Sequence, residues 1–128
     1  MAAEFTPTIT RVSEDARGEM YAITLPGNRE LMLLHSKQGS LRGGHAHDVD
    51  EAVVVLSGAM LYHKRAGSGE MTGVLKEGGY SFNPKGLAHM GEFLGDTWLI
   101  EVKMAQIGNW RNIDDPAWRE KVAANSAG

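Results

Sequence analysis

Glycine falls at sixteen positions spread evenly along this chain, with four prolines among them, so the backbone turns often and leaves only short uninterrupted runs. Those runs are β-prone: Met20-Tyr21-Ala22-Ile23-Thr24-Leu25, Glu30 to Leu34, Ala52 to Leu56, Ala59 to His63 and Thr97 to Met104. Short strands at turn-rich spacing predict an antiparallel all-β barrel or sandwich. Arg65-Ala66-Gly67-Ser68-Gly69-Glu70 reads as a hairpin loop. The run from Thr97 alternates, with Trp98, Ile100, Val102 and Met104 on one face. Thr97, Leu99, Glu101 and Lys103 share the other face, which is mixed and suits a less apolar environment.

One helix is expected, over about 115–124. Asp115 can cap it, Pro116 suits its first position, and Trp118 and Val122 lie one turn apart. The tail from Ala124 to Gly128 is expected to fray. No repeat or linker splits the chain, so a single domain over 1–128 is expected, and 128 residues suffice for a core.

Composition removes several functions. Without cysteine there is no disulfide, no thiolate zinc site and no cysteine nucleophile, which fits a reducing compartment. Thirteen basic against sixteen acidic residues, a net charge of −3, argue against gripping nucleic acid through its phosphates. Met1 to Pro7 lacks the basic start and apolar run of a signal peptide. The apolar stretch Glu51 to Leu56 is far too short to cross a bilayer, so a cytoplasmic protein with no membrane partner is expected.

The chemistry concentrates in two segments. In Gly39-Ser40-Leu41-Arg42-Gly43-Gly44-His45-Ala46-His47-Asp48-Val49-Asp50-Glu51, strand parity aims His45, His47 and Glu51 to one side. Val53 and Val55 continue that parity into apolar surroundings, as a pocket entering a core would. Two imidazoles and a carboxylate suit a borderline divalent metal. In Gly78 to His89, a strand at Tyr80-Ser81-Phe82 and a Pro84-Lys85-Gly86 turn return the chain so that His89 can add a third imidazole.

These segments resemble the paired signature of the cupin superfamily. Gly39, His45, His47, Glu51 and Gly58 match the first motif, G-x5-H-x-H-x3-E-x6-G, over 39–58. Gly78, Pro84, Gly86 and His89 match the second, G-x5-P-x-G-x2-H-x3-N, over 78–93; Phe93 replaces its asparagine. The resemblance implies a double-stranded β-barrel of jelly-roll type, often dimeric, with one divalent transition metal ion (Fe, Mn, Ni, Co or Zn) inside the wider mouth. It assigns ligand roles to His45, His47, Glu51 and His89. A homodimer is expected, partly covered by 105–124, because Trp110 and Trp118 are costly to leave in water.

The expected function is a metal-dependent enzyme acting on a small oxygenated, anionic metabolite, by lyase, isomerase or epimerase chemistry rather than dioxygen insertion. Arg42 is the nearby cation able to orient an anionic group, and a metal-bound hydroxide, Tyr80 or Tyr62 can serve as base. His35 and His63 read as strand-end histidines and Met90 as pointing away from the ion. A second reading comes from Arg42, His45 and His47, which are similar to the R-G-x-H-A-H stretch of sugar-nucleotide ketoisomerase cupins. There the histidines shuttle protons without metal, but Leu31 to His35 lacks the tyrosine expected before them. A non-catalytic ligand-binding barrel is the third.

Overall fold

Alternation of apolar and polar side chains produces eleven strands and one helix in the computed structural model, which describes residues 8–126. The readings made of Met1 to Pro7, Ala127 and Gly128 lie outside the described residues. The strands are β1 (Thr8–Asp15), β2 (Gly18–Leu25), β3 (Arg29–Ser36), β4 (Leu41–His47), β5 (Glu51–Ser57) and β6 (Ala59–Ala66). They continue with β7 (Gly69–Lys76), β8 (Tyr80–Asn83), β9 (Ala88–Phe93), β10 (Thr97–Lys103) and β11 (Asn112–Asp114), before helix α1 (Pro116–Ala124). A six-stranded sheet runs β1-β2-β3-β10-β5-β8 and a five-stranded sheet runs β11-β4-β9-β6-β7. Pairing is antiparallel throughout. This is the expected jelly-roll barrel.

The inward side chains of both sheets meet in one core. Leu34, Val53, Val55 and Leu99 from the six-stranded sheet pack against Met60, Tyr62 and Phe93 from the other. In β10 the inward face is the mixed one, Thr97, Leu99, Glu101 and Lys103, and the more apolar Trp98 face is outward. The barrel interior is therefore apolar at one end and charged at the other.

Helix α1 closes the outer side of the five-stranded sheet. The Asp115 side chain accepts the Trp118 N–H at 3.3 Å and Pro116 sits in the first turn. Trp118 and Val122 bury against Ala46, Ala88 and Met90 of the same chain. Burying a side chain such as Val122 stabilises by about 1.5 kcal/mol or more. Trp118 is thus covered within its own chain, where the helix was expected to lie against the barrel or a partner. Nor does the tail fray as expected up to Ser126: the Asn125 N–H reaches back to Lys121 and Val122 carbonyls, and Ser126 Oγ donates to Glu92 at 3.0 Å.

One irregularity positions the site. Arg42 and His45 both line the interior although they are an odd three positions apart, which a regular strand forbids. A bulge resolves the conflict: pairing of β4 with β9 shifts register between Gly43 and His45. Gly43 and Gly44 adopt φ of +97° and +87°, and a Cβ on Gly43 would stand 2.7 Å from the His89 carbonyl oxygen. Gly43→Ala should therefore lower stability by about 2 kcal/mol in urea unfolding. Gly73→Ala, with nothing within 4 Å of its new methyl, should change it by less than about 0.5 kcal/mol.

Candidate metal centre

Four side chains converge from both sheets at one end of the interior. His45 and His47 come from β4 and His89 from β9, directly across the ladder from His45. Their ring centroids form a triangle with sides of 4.8, 5.2 and 5.0 Å. Glu51 opens β5 in the opposite sheet. His47 and Glu51 do not lie on one extended strand, as parity alone had implied. The chain crosses between sheets at residues 48–50, and Glu51 meets the imidazoles face to face.

The donor atoms point at a shared space more than at one another. Glu51 is 0% exposed, with Oε2 3.1 Å from His47 Nε2 and Oε1 3.3 Å from His89 Nε2. Yet His47 Nε2, His89 Nε2 and Glu51 Oε2 are buried without an aligned hydrogen bond. His89 Nδ1 lies 3.3 Å from the Leu87 carbonyl; donation there leaves Nε2 with its lone pair free. Orphaned lone pairs on buried imidazoles and a carboxylate cost folding energy unless a cation satisfies them. Nitrogen atoms of His45, His47 and His89 lie within 4.8 Å of one another. This group can hold a metal ion.

Electrostatics keep the donors in their ligating forms. Burial, aided by the neighbouring histidines, pulls the His45 pKa down to about 4, and burial lowers that of His89. Both rings are neutral near pH 7. Burial opposes ionisation of Glu51, but His47, His89 and Lys103 outweigh it and hold the carboxyl below the usual range. Burial and the Glu51 charge push Tyr62 well above the usual phenol value.

Arg42 lies on the interior as the sequence reading required. It is 8% exposed; its Nε donates to Ser36 Oγ at 2.8 Å, while Nη1 has no partner. Tyr80 is not brought to the centre. It is 72% exposed on β8 opposite Val54, and strand parity turns it outward, so it is no candidate base for this cavity. Tyr62 is inside, accepting a 2.8 Å hydrogen bond from Asn83 Nδ2, which also reaches Glu51 at 3.4 Å. His35 stacks on Trp98 and His63 contacts Thr72, both away from the centre, and Met90 faces the helix as read.

Three residues at the centre had no sequence assignment. Glu101 shares a group of donor atoms with His47 and Glu51, again within 4.8 Å. Lys103 Nζ is 3.1 Å from Glu51 Oε2 and 4.2 Å over the Trp110 ring, and Trp110 meets His47 edge-on at 5.4 Å. The signal for Glu101 and Lys103 was their parity with Leu99. Trp110 carried none, because it lies outside any strand.

No protein-family profile matches this chain and no curated protein does. Solved structures match it well. CapF, a capsular polysaccharide assembling protein from Staphylococcus aureus, has a TM-score of 0.72 at 21% identity, covering 87% of this chain and 32% of CapF. A structure titled for the substrate binding mode of oxalate decarboxylase gives 0.66 at 21% identity, covering 83% and 32%. Vicilin from Corylus avellana, hazelnut, gives 0.67 at 12% identity, covering 81% and 34%. The chain spans about a third of the length of each. The shared architecture is the cupin barrel, and the chain has that fold.

The centre predicts about one divalent ion per chain in protein purified without a nickel column. Elemental analysis should find it in the wild type and not in His47→Ala combined with His89→Ala. Chelation should lower the melting temperature, since binding favours the folded state. An unchanged melting temperature in protein shown to bind metal would count against a native site.

Proposed function

We propose that this protein is a metal-dependent enzyme acting on a small oxygenated anion by lyase, isomerase or epimerase chemistry. The observation that carries the reading is the pairing of His45, His47 and His89 with Arg42 in one cavity of about 280 Å³, with Glu51 buried against the histidines. Met20, Met32, Leu34, Val53 and Phe93 supply its apolar wall. The cavity suits a compact ligand, dry in the middle and polar at both ends. A divalent ion held by His45, His47, Glu51 and His89 supplies Lewis acidity toward a carbonyl or carboxylate oxygen. The free Arg42 Nη1 binds the opposite anionic group and sets the ligand's direction. Tyr62, buried beside His89, is positioned to hold a proton near the ligand. Oxalate decarboxylase, a structural neighbour, acts by its name on a compact oxygen-rich anion.

Turnover of a panel of small hydroxy, keto and dicarboxylic acids tests this reading. Arg42→Ala should raise KM by about tenfold or more with metal content unchanged, the signature of lost binding rather than lost ion. His89→Ala should remove metal and turnover together. If metal-stripped protein keeps full turnover while His45→Ala abolishes it, the proton-shuttling isomerase reading replaces this one. No turnover across the panel, with tight metal-dependent ligand binding, leaves a binding barrel instead.

The same reading includes a homodimer formed by a second copy on the outer face of the six-stranded sheet. Tyr21, Leu33, Ile100, Val54 and Tyr80 form an unbroken cross-strand row there. Six strands at about 4.8 Å spacing and about 20 Å length present roughly 500 Å² in projection. Light scattering at tens of micromolar should report a dimer. Phe82→Lys with Trp98→Lys, both outward and partly exposed, should shift it to monomer without loss of bound metal. A monomeric wild type would leave this face to a different partner and refute the homodimer.

A further inference from the structure

The metal reading above uses four donors, yet the centre holds two further ionisable side chains that it does not explain. We propose that Glu101 is a fifth protein donor to the ion and that Lys103 is the counter-charge built in beside it. The inference rests on the metal reading and extends it.

Its basis is the register of β10. Glu101 stands opposite Val53 and Lys103 opposite Glu51, on the inward parity of the strand, so both project into the barrel next to the donor cluster. Oxygen and nitrogen atoms of His47, Glu51 and Glu101 lie within 4.8 Å of one another, forming a second donor group that shares His47 with the three imidazoles. The second observation is the orphaned Glu51 Oε2. It has both His47 Nε2 and Lys103 Nζ at 3.1 Å but no aligned hydrogen bond to either, on a side chain that is 0% exposed. The Glu101 carboxyl packs against the same buried carboxylate, so the two oxygen donors stand side by side next to His47.

Charge balance supports the assignment. With Glu101 ionised on binding, three imidazoles and two carboxylates would bring a divalent ion to neutrality, and the Lys103 ammonium would return the centre to a charge near +1. That charge is needed for an incoming anion to be attracted rather than repelled. Trp110 holds the ammonium in place through its ring face, so Lys103 cannot swing out to water without losing that contact. The five-donor set is also oxygen-richer than four-coordinate zinc requires, so it favours manganese or iron, which accept higher coordination and carboxylate ligands.

The two side chains must then push metal affinity in opposite directions. Competition of Mn²⁺ against a fluorescent chelator reads this without any assay of activity. Glu101→Gln should weaken Mn²⁺ binding about tenfold or more, with Glu101→Asp falling between it and the wild type. Lys103→Met should strengthen binding several-fold while lowering the melting temperature of the metal-free protein, because Glu51 loses its cation there. Zn²⁺ affinity should fall less than Mn²⁺ affinity in Glu101→Gln. Circular dichroism of each metal-free variant checks the fold, and Glu101→Asp serves if Glu101→Gln fails to fold. Wild-type protein that binds no Mn²⁺, Fe²⁺ or Zn²⁺ would sink the metal reading itself. Wild-type binding that is unchanged in Glu101→Gln and Glu101→Asp would overturn the fifth-donor assignment and leave the four-donor reading standing. A Lys103→Met variant that binds Mn²⁺ more weakly would overturn the counter-charge role.

Discussion

Glu51 is a carboxylate sealed inside a small barrel, and the arrangement around it follows from the cost of putting it there. An isolated buried carboxylate costs several kcal/mol even after the protein relaxes. Here the charge is met by His47 and His89 from the facing sheet, Asn83 from β8 and Lys103 from β10. None of these alone would suffice. Together they hold the carboxyl ionised, against the burial that opposes it. The price appears in the hydrogen bonds, since Glu51 Oε2 and the His47 and His89 Nε2 atoms remain without aligned partners. A chain that buries unpaired donors around a buried charge has spent stability on a site rather than on its core.

Holding that geometry requires the two motif segments to fix one another. The crossing that carries the chain from β4 to β5 is short, and its two aspartates are tied down separately. Asp48 accepts the Arg111 N–H at 2.7 Å, anchoring the crossing to the approach of β11. Asp50 accepts the Lys85 N–H at 2.9 Å, anchoring it to the turn between β8 and β9. The same turn donates the Gly86 N–H to the His47 carbonyl at 2.8 Å. The loop that presents Glu51 and the turn that precedes His89 are therefore one hydrogen-bonded unit. Fixed spacing of these residues is what builds the unit, which is why Pro84 and Gly86 belong to the pattern although their role is in the turn.

Much of this was legible beforehand, and the gaps have physical causes. Short β-prone runs between glycines located β2, β3, β5 and β6, alternation marked β10, and cap chemistry located the helix. β7 was missed: Gly69–Lys76 is exposed almost throughout and interrupted by Gly73, so no burial pattern marks it. β1, at the sheet edge, is exposed for the same reason. The histidines could be grouped because their spacing is local. Glu101 and Lys103 could not, because only the pairing of β10 with β5, fifty residues away along the chain, brings them to Glu51. Tyr80 was drawn in by its closeness to the second motif. On a strand, nearness in sequence says nothing about side until parity is counted against a known inward residue, and Ser81, buried next to it, supplies that count.

Parity also explains why the four residues from His47 to Glu51 make the interval that matters. Within a continuous strand an even interval would keep both on one face of one sheet, leaving the carboxylate about 13 Å along from the imidazole. Here residues 48–50 leave the ladder instead, and β5 starts in the other sheet with Glu51 inward. One residue more or less in the crossing would start β5 on the opposite parity. Val53 and Val55 would then turn outward with Glu51, and the apolar floor of the cavity would be lost along with the carboxylate. The bulge at Gly43 and Gly44 does the complementary task upstream, adding the odd residue that lets Arg42 and His45 face inward together. Two departures from regular β-structure, one on each side of the histidine pair, thus place a cation and three imidazoles on one cavity, with the Glu51 carboxylate buried against the imidazoles.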